Sequence, residues 1–181
     1  MLNIHDIDIK KWDIVLEKKG YQVNRTIYYN QSEKIWMKIW EKDYKWKNNF
    51  KTAYEANYYN NIALIKNIIV DNSKDVLGYI SYNLDPHKLD TKLNKQQNMR
   101  ILDKNINNIK YQKFLNTILD KVKSLSLVYV DLTPNNVGIK DNEYYLCDLE
   151  DIVALPQLKN LDYWKLYCPE TYVNYICNKY L

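Results

Sequence analysis

The stretch Leu127–Ile152, LVYVDLTPNNVGIKDNEYYLCDLEDI, decides how this chain is read. Asp131 closes an apolar run, Leu125–Val130, which places it at the C-terminal end of a strand. Pro134 and Asn135 turn the chain and let Asn136 fold back towards Asp131. Tyr144–Cys147 is a second short strand, and Asp148 leaves its end. Oxygen-bearing side chains at the ends of neighbouring strands suit Mg²⁺, which takes oxygen ligands and shares them with substrate phosphates. A carboxylate at Asp131 can orient a hydroxyl and accept its proton late in a reaction, and a carboxamide beside it can ligate the metal. Taken singly, these elements are an ordinary Pro-Asn-Asn turn followed by a solvated acidic cluster, Asp148 to Asp151.

Upstream, Thr26–Asn30 and Ile35–Trp40 are aromatic and β-branched, and Gln31–Lys34 closes them into a hairpin. The order Ile-Trp-Met-Lys-Ile-Trp puts Trp36, Lys38 and Trp40 on one face. From Asn48 to Ile68 the residues Phe50, Ala53, Tyr54, Tyr58, Ile62 and Ile65 recur at helical spacing, with Glu55 off that line. Ile68–Val70, the polar turn Asp71–Asp75 and Val76–Leu84 predict two further strands, a pattern that Asp85-Pro86 ends. From Asp90 to Ser126 the pattern is helical again. Within it, Asn107–Ser124 carries Ile109, Phe114, Leu115, Ile118, Leu119 and Val122 on one stripe. The aromatic tail from Leu161 predicts one or two short helices, the second starting near Pro169-Glu170. The order is α+β, with a sheet-bearing N-terminal half and a helical C-terminal half.

Composition narrows the function classes. A net charge of +4 with scattered basic residues gives no electrostatic footprint for nucleic acid. No apolar run approaches the roughly 18–20 residues of a transmembrane helix, so no membrane partner is expected. The N-terminus carries acids and no apolar core of a secretory signal. Cys147, Cys168 and Cys177 lack metal-ligand spacing and leave one thiol over in any disulfide scheme, which points to a reducing, cytoplasmic setting. The 18 Tyr against 3 Gly and 4 Pro, with much Asn, Lys and Ile, fit AT-rich coding of the kind found in parasites, protists and large viruses. Oligomeric state is not legible.

Tyr129-Val130-Asp131-Leu132-Thr133-Pro134-Asn135-Asn136 resembles the H-R-D-L-x-P-x-N catalytic loop of the protein-kinase-like superfamily, and Asp148-Leu149-Glu150 its D-F-G. Asp131 and Asp148 stand 17 positions apart, close to the family's spacing. The resemblance implies that Asp131 is the catalytic base and that Asn136 and Asp148 hold Mg²⁺. Lys38, in I-W-M-K, stands where the V-A-I-K lysine would bind the α/β-phosphates of ATP. Glu55 lies 17 positions later and would hold that lysine. By order alone, Ser81, Tyr82, Asn83 and Leu84 form the hinge that offers backbone groups to adenine. The implied fold is two-lobed, with a mainly antiparallel N-lobe sheet over about 1–84 and a reduced helical C-lobe over about 85–181. The likeness runs from about Ile14 to Ile152.

Departures from the family limit the reading. The region Glu17–Arg25 holds only Gly20 where a G-x-G-x-x-G loop would stand, which removes amide donors from the phosphates. Tyr-Val replaces H-R, Thr133 stands where protein kinases carry lysine, and Leu-Glu replaces F-G. A surface role for Glu150 is as good a reading as a place near the metal. Only 33 residues follow Asp148, too few for an ordinary activation segment and peptide groove. The expectation is a minimal, atypical kinase that moves the γ-phosphoryl of ATP to a hydroxyl on a protein or a small molecule, with protein favoured. The alternatives are a pseudokinase scaffold, or an interaction domain unrelated to kinases.

Overall fold

Arg25–Asn30 (β3) and Ile35–Trp40 (β4) pair antiparallel as the sequence predicts, with Asn30 opposite Ile35. Asn30 Oδ1 closes the turn by accepting from the amides of Ser32 and Glu33 and from the Ser32 hydroxyl. This computed structural model describes residues 1–18, 25–40, 47–86, 108–133, 136–159 and 164–181. The expectations for 90–107, for most of Glu17–Arg25, for Pro134-Asn135 and for 160–163 lie outside the described residues. The architecture is α+β, with a mostly antiparallel multistranded sheet and few helices.

The chain divides into two units, Met1–Lys51 with Leu64–Asn83, and Thr52–Ala63 with Leu84–Leu181. The first holds a six-stranded sheet. To β3 and β4 it adds Leu2–Asn3 (β1), Asp13–Lys18 (β2), Ile65–Val70 (β5) and Val76–Tyr82 (β6), in the order β1-β5-β6-β4-β3-β2. Only β1 pairs in parallel, with β5. The alternation of β4 decides what covers each face. Ile35 and Met37 join Ile69 and Ile80 in a buried cluster, against which Leu2, Ile4, Ile7 and Trp12 of the N-terminal segment pack. On the opposite face Trp40 meets Phe50 edge-on at 5.0 Å, and Phe50 stacks on Tyr79 at 5.4 Å.

Phe50 belongs to Lys47–Glu55 (α1), which is far shorter than the helical spacing to Ile65 predicts. A left-handed residue stops it. Asn57 has φ 57°, its amide bonds the Tyr54 carbonyl, and the Tyr58 amide reaches back to Ala53 at 2.8 Å. This pair of bonds satisfies the last helical carbonyls and turns the chain away. Ile65 consequently lies in β5, and Ile62 is buried in the connecting turns.

In the second unit Ile109–Leu125 (α2) matches the predicted amphipathic helix. Asn108 caps its start, and Ser126, at φ 55°, ends it. β6 ends before Asp85-Pro86, as expected, but that pair itself forms a short strand (β7) beside Val137–Lys140 (β9), which pairs with Glu143–Leu146 (β10). Asp141 and Asn142, at φ 50° and 63°, make the tight two-residue turn of the β9–β10 hairpin. Leu127–Tyr129 (β8) pairs with Ile152–Ala154 (β11), a strand the sequence reading missed. Leu155–Leu158 (α3) and Glu170–Tyr180 (α4) follow, the latter starting after Pro169 as expected. Among the described residues no helix is long and apolar enough to cross a membrane.

Candidate functional site

The segments bearing Asp131 and Asp148 are not neighbouring strands, as the sequence reading had them. Asp131 follows β8 and Asp148 follows β10, and these strands belong to different sheets. Several hydrogen bonds nevertheless tie the two segments together. The Val130 amide donates to the Asp151 carbonyl at 2.9 Å, and the Cys147 amide donates to the Asn136 carbonyl at 2.8 Å. The Tyr129 hydroxyl donates to the Asp148 carbonyl. Thus Tyr129, two residues before Asp131, holds Asp148 itself, and Asn136 holds its neighbour Cys147.

Within the loop, Asn136 folds back on Asp131 as the turn residues predict. Its Nδ2 donates to the Asp131 carbonyl at 2.9 Å and to Asp131 Oδ2 at 2.8 Å. The Thr133 and Asn136 amides close the loop through bonds to the carbonyls of Asp131 and Thr133. The other end of the carboxamide, Oδ1, is an oxygen of the kind that ligates a hard cation. Asn136 is buried, while Asp131 and Asp148 are half-buried.

The donor set fits magnesium in kind. Mg²⁺ binds through one or two protein oxygens and completes its shell with water and phosphate, which a carboxamide and a carboxylate satisfy. Among the described residues no group of three or more His, Cys, Asp or Glu side chains could hold a metal by themselves.

Glu150 is 2% exposed, which removes the reading of it as a surface carboxylate and of Asp148–Asp151 as a solvated cluster. Its neighbour Leu149 is buried too, and the Leu149 carbonyl accepts from the Tyr59 hydroxyl at 2.7 Å. Tyr59 follows α1 closely and was read only as part of a helical stretch. Tyr129, read as a departure from the family loop, holds the Asp148 backbone. Neither role is visible in periodicity, because each runs from a hydroxyl to a backbone carbonyl remote in sequence.

In the first unit, Lys38 sits on β4 opposite Tyr79, with Ile27 across from it on β3. It is 8% exposed, not the water-facing strand lysine that a lone Lys in a strand suggests, and its Nζ lies 5.8 Å from the centre of the Tyr79 ring. Lysine is buried to this degree only when its charge is compensated. Glu55, assigned to hold Lys38, is exposed, ends α1, and groups with the second unit. Of the proposed hinge, the Tyr82 amide is committed to the Leu64 carbonyl and the Asn83 amide to the Lys34 carbonyl, both at 3.1 Å. Asn83 Oδ1 accepts from the Trp36 indole at 2.7 Å. Two of the amides that could have met a base are therefore occupied by the sheet. Ser81 is half-buried within β6, and Leu84 begins the second unit's last stretch.

No protein-family model matches the chain, and a search of the curated proteins finds no match.

Proposed function

We propose that the chain is a minimal kinase-like phosphotransferase that uses magnesium and ATP and passes the γ-phosphoryl group to a hydroxyl. The observation that carries the reading is the Asn136 side chain bonded to both the carbonyl and the carboxylate of Asp131, on a loop whose neighbours hold the Asp148 backbone. Catalysis of this class is mostly positioning and electrostatics, and a carboxylate held by a carboxamide serves both. In this reading Asp131 orients the attacking hydroxyl, and Asn136 and Asp148 hold Mg²⁺. Lys38, with Glu55, fixes the α/β-phosphates. Magnesium, when bound, supplies the charge that neutralises the phosphates. The burial of Lys38 and Glu150 supports a charged site over a decorated surface. The two-lobed kinase architecture, with lobes divided near residue 84, is part of the same proposal.

A pseudokinase is the second reading, favoured by the occupied Tyr82 and Asn83 amides, which reduce what a base could grip. Thermal unfolding separates the two. At about a hundredfold excess over its dissociation constant, MgATP should stabilise the protein by about 2.7 kcal/mol. For a chain of this size that raises Tm by about 5–10 °C. The shift should need Mg²⁺, vanish in Asp148→Ala and be accompanied by ATP consumption. A shift without consumption, or no shift at millimolar nucleotide, favours the scaffold and contradicts the enzyme.

A further inference from the structure

Tyr129 is tied at both of its ends. Its carbonyl accepts from the Tyr172 hydroxyl at 3.1 Å and from the Cys168 thiol at 3.8 Å. Its own hydroxyl donates to the Asp148 carbonyl. Tyr129 and Tyr172 are each 0% exposed, so these bonds form where water does not compete. Tyr172 lies on α4, near the end of the chain, and Tyr129 precedes Asp131 by two residues. Tyr129 thus links α4, through its carbonyl, to the backbone of Asp148, through its hydroxyl.

We propose that Tyr129 and Tyr172 are positioning residues, through which α4 sets the placement of Asp131 and Asp148. The proposal rests on the phosphotransferase reading. Neither hydroxyl touches a reacting atom; each acts through a carbonyl it holds. In this account α4 braces the loop through the Tyr129 carbonyl. Groups that orient metal ligands in this way are typically worth 10–100-fold in metal affinity or activity.

Tyr129→Phe and Tyr172→Phe each remove one hydroxyl and keep the ring. Two measurements test them: amide hydrogen exchange of the ligand-free protein, and the Mg²⁺ concentration that gives half of the thermal shift caused by a non-hydrolysable ATP analogue. Tyr129→Phe should speed exchange across 147–152, and both variants should raise the Mg²⁺ requirement by about tenfold or more. Tyr111→Phe, at another buried tyrosine on α2, is the control: it should leave the Mg²⁺ requirement unchanged. A wild-type shift whose Mg²⁺ requirement moves in neither variant overturns the proposal alone. A wild-type protein with no Mg²⁺-dependent shift overturns the phosphotransferase reading, and the proposal with it.

Discussion

Tyr58 and Tyr172 are phenols without exposed surface, and their ionisation gives the fold a pH dependence of its own. Burial raises the pKa of both; the Cys168 thiol adds repulsion at Tyr58, and Tyr58 and then Cys168 add it at Tyr172. An unfolded tyrosine ionises near pH 10, whereas these remain neutral in the folded protein above that value. Above about pH 10 the unfolded chain therefore gives up protons that the folded chain retains, so stability is full below that pH and falls as pH rises. Each retained proton steepens the fall by about 1.4 kcal/mol per pH unit. The urea midpoint should thus drop less steeply between about pH 9 and 11 in Tyr58→Phe than in wild type, and equal slopes would contradict this. Residue types were legible in the sequence at this scale, but their surroundings were not. The burial of Lys38 and Glu150 was not legible, because burial depends on partners from other elements. The meeting of Asp131 and Asn136 was legible, because residues five apart in the chain are brought together locally.

Elements show the same division between local and distant causes. The β3–β4 hairpin and α2 follow from period-two and helical patterns with polar ends, and both stand where the sequence places them. The end of α1 does not, because one left-handed Asn57 overrides an apolar spacing that continues beyond it. The β8–β11 pair joins segments separated by the whole β9–β10 hairpin, and three-residue strands carry too little pattern to announce such pairing. Gly78 gives this scale its sharpest test. A Cβ built there would lie 1.9 Å from the Lys38 carbonyl oxygen, on backbone that cannot rotate aside. Gly78→Ala should therefore push β6 away from the strand that carries Lys38. The expected cost is about 1–3 kcal/mol or more, with weaker nucleotide binding than the lost stability explains. Measured by urea unfolding and nucleotide titration, wild-type values for both would show that the strands do not approach so closely.

At the scale of the molecule the sequence shows a sheet-rich first half and a helix-containing second half, and the two units of the structure carry that contrast. The assignment of Thr52–Ala63 to the second unit was not legible, since it depends on what those residues touch and not on where they fall in the chain. Bonds such as Tyr59 to Leu149 and Leu146 to Ile62 give that segment its place. The decisive measurement is transfer of labelled phosphoryl from γ-labelled ATP, offered the protein itself, generic proteins and small alcohols as acceptors. The account predicts Mg²⁺-dependent transfer by the wild-type chain, and its loss in folded Asp131→Ala and Asp148→Ala, with rates falling by about a hundredfold or more. No transfer to any acceptor by the wild-type chain, or full transfer by either variant, would contradict it.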